Sequence, residues 1–410
     1  MKRKTLLFVE EVKNSLSQKV VSRKDIQVVL IRFKQSMFFD DMYLASTSRI
    51  PTFVVDKTNS IESEVSRFRK FCRENNISID YFYNDSEYNQ EFIQDFAKRM
   101  KIAGSLNNYQ ALCVRDKAVM KDMLQGIGYR TMPYQEVSSL EDVVSFADKC
   151  GGFLIIVKWR RGLSSKEVYK IDSLKSLNKL GLDFSTKRYI AEKFSPDLIW
   201  CVDSLIQNGK VISTFYTWLP YTNLSFAVNK EKFAQITASE KPDWFKFDGS
   251  KITQNIVNEL ELKTGYMHLE AFVDPFGQPT ICEFAWRTPG EHMLLNHSIV
   301  FGVDIYDALI DMIIEKKMKR IPSKGGCSVG DMFLPISDGE ITEISNFSDL
   351  KKIKGVINGE VLYKVDDKVE SKRQYTSCSG WVQVTGKDHN SVLETMLKVY
   401  DNFVFKTKRQ

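Results

Sequence analysis

The stretch YMHLEAFVDPFGQPTICEFAWR, from Tyr266 to Arg287, reads as two β-strands folded about a tight turn, because apolar and polar residues alternate on either side of Pro275-Phe276-Gly277. A two-residue turn at Phe276-Gly277 sets Pro275 opposite Gln278. The same register sets Glu270 opposite Glu283, His268 opposite Ala285 and Tyr266 opposite Arg287, all on one face, while Met267, Leu269, Ala271 and Val273 form the apolar other face. Opposed carboxylates have Cβ atoms about 5 Å apart and repel by roughly 3 kcal/mol at an effective dielectric of about 20. That repulsion calls for a cation. Oxygen ligands with no soft partner suit Mg2+ or Mn2+, ions that also bind nucleotide phosphates, so Glu270 and Glu283 are the candidate metal ligands. Arg287 on the same face would act on a transferring phosphoryl group. The competing reading is an exposed hairpin whose acids are solvated and screened.

The chain around this hairpin has 410 residues, 43% hydrophobic and 27% charged, with 10 Pro and 21 Gly, which excludes disordered and collagen-like classes. Its net charge of +6 favours phosphates or an acidic partner without requiring nucleic acid, and none is expected. Leu6-Leu7-Phe8-Val9 is too short an apolar run before Glu10 and Glu11 for a secretory segment, and no run approaches the ~18 residues of a membrane span. Seven cysteines, odd in number and never in C-x-x-C, suggest neither a disulfide framework nor a zinc site. A reducing cytoplasm fits best.

Upstream, DIQVVLIRF (Asp25 to Phe33) and TFVV (Thr52 to Val55) read as buried strands, followed by a helix from Ile61, a strand over Ile77 to Tyr83 and a helix over Asn89 to Met100. This order predicts a small parallel, Rossmann-like α/β domain over residues 1–108, without the G-x-G-x-x-G of a dinucleotide site. A single helix is expected from Tyr109 to Ile127, with Leu112, Val119, Met123 and Ile127 on one stripe. With the helix Leu140 to Lys149 and strands over Gly152–Trp159, Glu167–Ile171 and Tyr189–Phe194 it makes a second unit, residues 109–190. The third, 191–410, holds a hairpin at Asn208-Gly209, the Tyr266–Arg287 ribbon, a long helix from Ile305 and a β-rich end. The class expected is mixed α/β and α+β.

Lys158 ends a buried strand and precedes Arg160-Arg161-Gly162-Leu163-Ser164-Ser165-Lys166. An ammonium followed by a loop of cations, hydroxyls and backbone N–H groups suits a triphosphate, although such a loop is more often a solvated turn. Lys117 is a second candidate, with an exposed helix lysine as its alternative. Glu192-Lys193-Phe194 ends a strand along which a base could lie, its backbone groups reading adenine and Phe194 forming a wall. Of the four histidines only His268 shares the carboxylate face; His292 and His297 are expected to cap or pack around a helix start.

Taken in order, Asp116-Lys117, Ile156-Val157-Lys158 with its loop, Glu192-Lys193-Phe194, Trp200-Cys201-Val202-Asp203, His268-x-Glu270, Glu283-x-x-x-Arg287-Thr288-Pro289-Gly290 and Phe301-Gly302-Val303-Asp304-Ile305-Tyr306 resemble the motifs of the ATP-grasp superfamily of carboxylate–amine and carboxylate–thiol ligases. The pattern is nearest the L-amino-acid ligase and biotin-carboxylase-like branch and runs from about Tyr109 to Lys317. The resemblance implies an ATP-grasp fold with an N-terminal pre-ATP-grasp domain, a central lid subdomain and a catalytic subdomain ending in antiparallel β structure. It also implies that Lys117, Lys158, Gly162, Ser164, Ser165, Glu192, Lys193 and Phe194 surround ATP, that Glu270 and Glu283 hold Mg2+ or Mn2+, and that Arg287 and His268 are catalytic. Three positions depart from the family pattern: the phosphate loop has one glycine where several are usual, Ile199 stands where an acidic residue is common, and Ala285 where many relatives carry Asn. The implied reaction is ADP-forming: a small carboxylate, an amino acid, becomes an acyl phosphate and is captured by an amine. Acylation of a carrier-protein thiol, modification of a peptide, and nucleotide binding without catalysis are the rival readings. Small-molecule substrates are the expected partners, a homodimer is compatible, and no membrane is expected.

Overall fold

The computed structural model describes residues 3–11, 14–36, 39–163, 167–222, 224–226, 232–290, 292–322, 325–370 and 378–408. Strands β1 (Thr5–Val9), β2 (Gln27–Phe33), β3 (Thr52–Val55) and β4 (Tyr81–Asn84) form a parallel sheet in the order β3-β2-β1-β4. The apolar run Leu6-Leu7-Phe8-Val9, not expected to be a strand, makes up most of β1, which lies inside the sheet. All five residues are buried, Leu6 and Phe8 in one core and Leu7 and Val9 in another, so no polar alternation marks it. The expected strand over Ile77 to Tyr83 begins only at Tyr81.

β5 (Tyr134–Val137), β6 (Ile155–Trp159), β7 (Val168–Ile171) and β8 (Tyr189–Lys193) form an antiparallel sheet in the order β5-β8-β6-β7. The remaining strands are β9 (Leu198–Gln207), β10 (Lys210–Leu219), β11 (Ala234–Ala238), β12 (Gly265–Val273), β13 (Pro279–Ala285), β14 (Ser328–Phe333), β15 (Gly339–Ile344), β16 (Val356–Val361), β17 (Lys368–Val369), β18 (Gly380–Gly386) and β19 (Phe405–Lys408). Eight of them form one sheet, β13-β12-β9-β10-β11-β14-β18-β16; the other three form β17-β15-β19. β11 and the helices Gly249–Glu259 and Met293–Phe301 are additional to the sequence expectation. No single described helix is long and apolar enough to cross a membrane, and the apolar pair Met293–Phe301 and Ile305–Ile313 is bent by 99°. None of the seven cysteines is in a disulfide.

The helix expected from Tyr109 to Ile127 is two helices, Asn108–Cys113 and Lys117–Gly126. Asp116 caps the second, its carboxylate accepting from the N–H groups of Ala118 at 3.1 Å and Val119 at 3.4 Å. The apolar stripe continues through the break, so periodicity hides it. The break places Lys117 at the first position of a helix.

The Tyr266–Arg287 ribbon differs from expectation in two places that cancel. The loop has three residues, Pro275-Phe276-Gly277: Asp274 N–H donates to the Gln278 carbonyl at 3.1 Å, and Phe272 faces Thr280. A bulge then follows between Glu270 and Ala271, so Glu270 again faces Glu283 and His268 faces Ala285. Gly277 has φ of +81°, and a Cβ there would lie 2.0 Å from the Trp244 carbonyl oxygen. Gly277→Ala should therefore cost more than the ~1–2 kcal/mol of a left-handed residue, read as a lower urea midpoint at unchanged slope.

Candidate active site

The site's floor is one face of β9, β12 and β13. Asp203 lies opposite His268, Cys201 opposite Glu270, and Glu270 opposite Glu283. The other face of β12 packs Met267, Leu269, Ala271 and Val273 into the core, as the alternation requires. Above the floor is a cavity of about 220 Å³ whose lining includes Lys117, Lys158, Glu192, Glu270, Glu283 and Arg287.

Each acidic side chain of the opposed pair already has a cation beside it. Lys117 Nζ is 3.1 Å from Glu283 and donates to the Gly162 carbonyl at 3.0 Å. Burial works against ionisation of Glu283, but Lys117 and Lys158 hold its pKa at about 2. Glu270 Oε1 lies 3.3 Å from His268 Nε2, and His268 Nδ1 lies 2.7 Å from Asp203 Oδ1. Burial disfavours the imidazolium, yet Asp203 and Glu270 raise its pKa to about 10. With a carboxylate at each nitrogen, His268 is fixed in orientation beside Glu270.

The wall from the second sheet is a buried ion cluster. Glu192 lies 2.8 Å from Lys158 and 3.0 Å from Lys121, and the three side chains are 4%, 7% and 0% exposed. Desolvation opposes the Glu192 charge, and the two ammoniums still bring its pKa below the ordinary value. The Glu192 side chain is thus engaged by the two lysines. The backbone also differs from expectation: the N–H groups of Lys193 and Phe194 are engaged by the carbonyls of Pro133 and Leu154, at 3.0 and 3.3 Å. The Phe194 ring does line the cavity, with Ile156, Leu219, Phe272 and Met293, and Lys170 Nζ sits 4.3 Å from its centroid.

Within the basic loop Arg160 turns inward and Arg161 stays exposed. Arg160 pairs with Asp116 at 2.8 Å, and Arg115 donates to the carbonyls of Arg161 and Gly162. Ser164 and Ser165 lie outside the described residues. Arg287 is not on the strand face expected for it, because β13 ends at Ala285. It reaches the cavity from the following loop, where its Nε donates to Glu87 Oε2 at 2.6 Å. Tyr266, expected opposite Arg287, instead hydrogen-bonds His297 at 3.1 Å.

Sequence reasoning gave no site role to Lys121, Asp203 or Glu87, and His297, expected to cap or pack around a helix start, lies within the helix. Lys121 follows Lys117 by one helical turn and Asp203 shares a strand face with Cys201, so both left a periodic signal. Glu87 left none, since it meets Arg287 from 200 positions away. His297 is fully buried inside the helix Met293–Phe301, between Thr217 and Tyr266 and stacked on Phe215 at 4.8 Å. Desolvation lowers its pKa to about 4. A folded-state value below the unfolded ~6.5 gives stability that is present above pH ~6.5 and lost as pH falls toward 4. Across that window the urea midpoint of the parent should fall more steeply than that of His297→Gln.

The donor set fits a hard divalent cation: two carboxylates opposed across a ladder, open to a cavity with ammonium groups on its walls. No protein-family model matches the chain. An L-arginine-specific L-amino acid ligase of Bacillus subtilis is 24% identical over 272 residues, 64% of this chain and 65% of that protein. The L-amino acid ligase of Bacillus licheniformis superposes with a TM-score of 0.76 at 16% identity, covering 100% of both chains. The biotin carboxylase domain of Hydrogenobacter thermophilus 2-oxoglutarate carboxylase, solved with MgADP and bicarbonate, gives 0.66 at 14% identity over 98% of this chain and 90% of that one. The order of sheets and the agreement over the whole length establish that this chain has the ATP-grasp fold.

Proposed function

We propose that the protein is an ATP-dependent, ADP-forming ligase that activates a small carboxylate, an amino acid, as an acyl phosphate and joins it to an amine. The observation that carries this reading is the Glu270–Glu283 pair on the floor of a cavity walled by Lys117, Lys158 and Arg287. The likeness to amino acid ligases supports an amino acid as the carboxylate.

A substrate carboxylate oxygen attacks the γ-phosphorus of ATP and ADP departs. The amine nitrogen then attacks the acyl carbon, phosphate leaves, and the nitrogen loses a proton. Glu270 and Glu283 would hold magnesium, which when bound neutralises phosphate charge. Lys117 and Lys158 hold the phosphates, Glu192 keeps Lys158 in place, and Arg287 faces the charge that develops on the transferring group. His268 orients Glu270. Phe194 and its apolar neighbours flank the base, Lys193 edges it, and the sheet β5-β8-β6-β7, in place of the whole of residues 109–190, acts as the lid that excludes water from the acyl phosphate.

An ADP-release screen over amino-acid pairs, repeated with hydroxylamine to trap an acyl phosphate, tests this. ADP release with some pair, and a hydroxamate of the first amino acid, is expected. Tight ATP binding with no ADP release across the panel would overturn it in favour of a binding protein, and dependence on a protein acceptor would favour acylation of a carrier.

A further inference from the structure

The cysteine spacing along the chain contains no metal motif, but the sheet assembles one. β9 and β12 present two cross-strand pairs on the same face, Cys201 opposite Glu270 and Asp203 opposite His268. Side chains opposed in this way have Cβ atoms about 4.5–5.5 Å apart. Ligand atoms of Cys201, His268 and Glu270 accordingly lie within 4.8 Å of one another, the one such His/Cys/carboxylate group among the described residues. All three line the cavity.

Asp203 makes this more than a coincidence of neighbours. It is fully buried and holds His268 Nδ1 at 2.7 Å, so the ring is fixed with Nε2 on the side of Glu270, 3.3 Å away. Metal-bound histidines are held in this way, by a carboxylate on the nitrogen that does not bind the metal. Two carboxylates alone select hard ions. A thiolate and an imidazole added to one of them suit Zn2+ or Co2+, with three protein ligands and a fourth position open.

We propose that Cys201, His268 and Glu270 form a second cation site, for a soft divalent ion of the Zn2+ class, with its open position facing the cavity. Uptake displaces the proton on His268 Nε2 and the thiol proton of Cys201, both released to solvent, and the ion takes over the positive charge between Asp203 and Glu270. Resting on the ligase reading for this step alone, occupancy removes Glu270 from magnesium and stops turnover. The bland alternative is that Cys201 is only a small apolar residue, packed with Ile199, Leu219 and Met293.

Co2+ is the probe, because a thiolate ligand gives a near-ultraviolet charge-transfer band that oxygen and nitrogen ligands do not. One equivalent of Co2+ should produce that band in the parent protein, and Zn2+ should bleach it. Cys201→Ser should lack it while keeping the parent urea midpoint. Asp203→Asn, which leaves all three ligands in place, should keep the band but weaken Co2+ binding about 10- to 100-fold. No band in the parent, or a band that survives in Cys201→Ser and disappears in Cys282→Ser, overturns the site. ADP release that continues with the site saturated by Zn2+ overturns the competition with magnesium. A protein that shows the band but releases no ADP with any substrate keeps the site and loses the ligase reading, so the two failures are distinct.

Discussion

Glu283→Gln is expected to lower ADP release by about 100-fold or more in a protein that stays folded. The amide keeps the shape of the side chain and removes its charge, so one of the two carboxylates available to magnesium is lost. Removing a single preorganised electrostatic group from a transition state typically costs about 10²–10³ in rate. Stability should fall as well, because Lys117, 9% exposed, loses its carboxylate partner and keeps the Gly162 carbonyl as its acceptor, so turnover is compared under conditions in which both proteins are folded. Turnover equal to the parent, measured at saturating substrates, would remove Glu283 from the metal site and with it the main support for the ligase reading.

Glu192→Gln should have its larger effect on stability. It leaves Lys121 and Lys158, 0% and 7% exposed, beside each other with no carboxylate between them. Breaking a buried pair by removing one partner costs about 3–5 kcal/mol, because the remaining charge is stranded in a medium that solvates it poorly. The sign of the pH dependence follows from the depressed pKa of Glu192. A carboxylate with a folded-state value below its unfolded ~4.3 stabilises the protein above that pH and loses the contribution as pH falls through the folded value. Parent and variant should therefore differ most near neutrality and converge in acid. Urea titrations at several pH values read this directly, and a difference under about 1 kcal/mol at pH 7 would show that the cluster is solvated.

The residues whose geometry could be read from the sequence are those held by short-range rules. Strict alternation in Tyr266–Arg287 was enough to bring Glu270 opposite Glu283, although that register holds only because a three-residue loop and a one-residue bulge offset each other. Neither is visible in a pattern of period two. Lys117 could be singled out, but its placement at a helix start could not, because the apolar stripe runs on through the cap at Asp116. Lys158 was legible as the end of a strand, whereas its burial against Glu192 depends on the pairing of β6 with β8. β1 is, after Thr5, an unbroken apolar run with no alternation, and the helix Met293–Phe301 carries apolar residues both on its buried side, at Leu294 and Val300, and on its exposed side, at Ile299, so neither shows a period.

The contacts of Glu87 and Asp85 bear on how the protein can be divided. Both follow β4 of the parallel sheet, yet Glu87 holds Arg287 and Asp85 accepts from the Thr288 hydroxyl at 2.7 Å. A fragment beginning at Asn108 would lose the two acids that moor the loop after β13, and it would also bare the core in which Leu6, Phe8 and Leu30 pack with Phe215, Tyr266 and Leu309. The two halves share one interior, so a cut between them should unfold both instead of releasing an independently active piece.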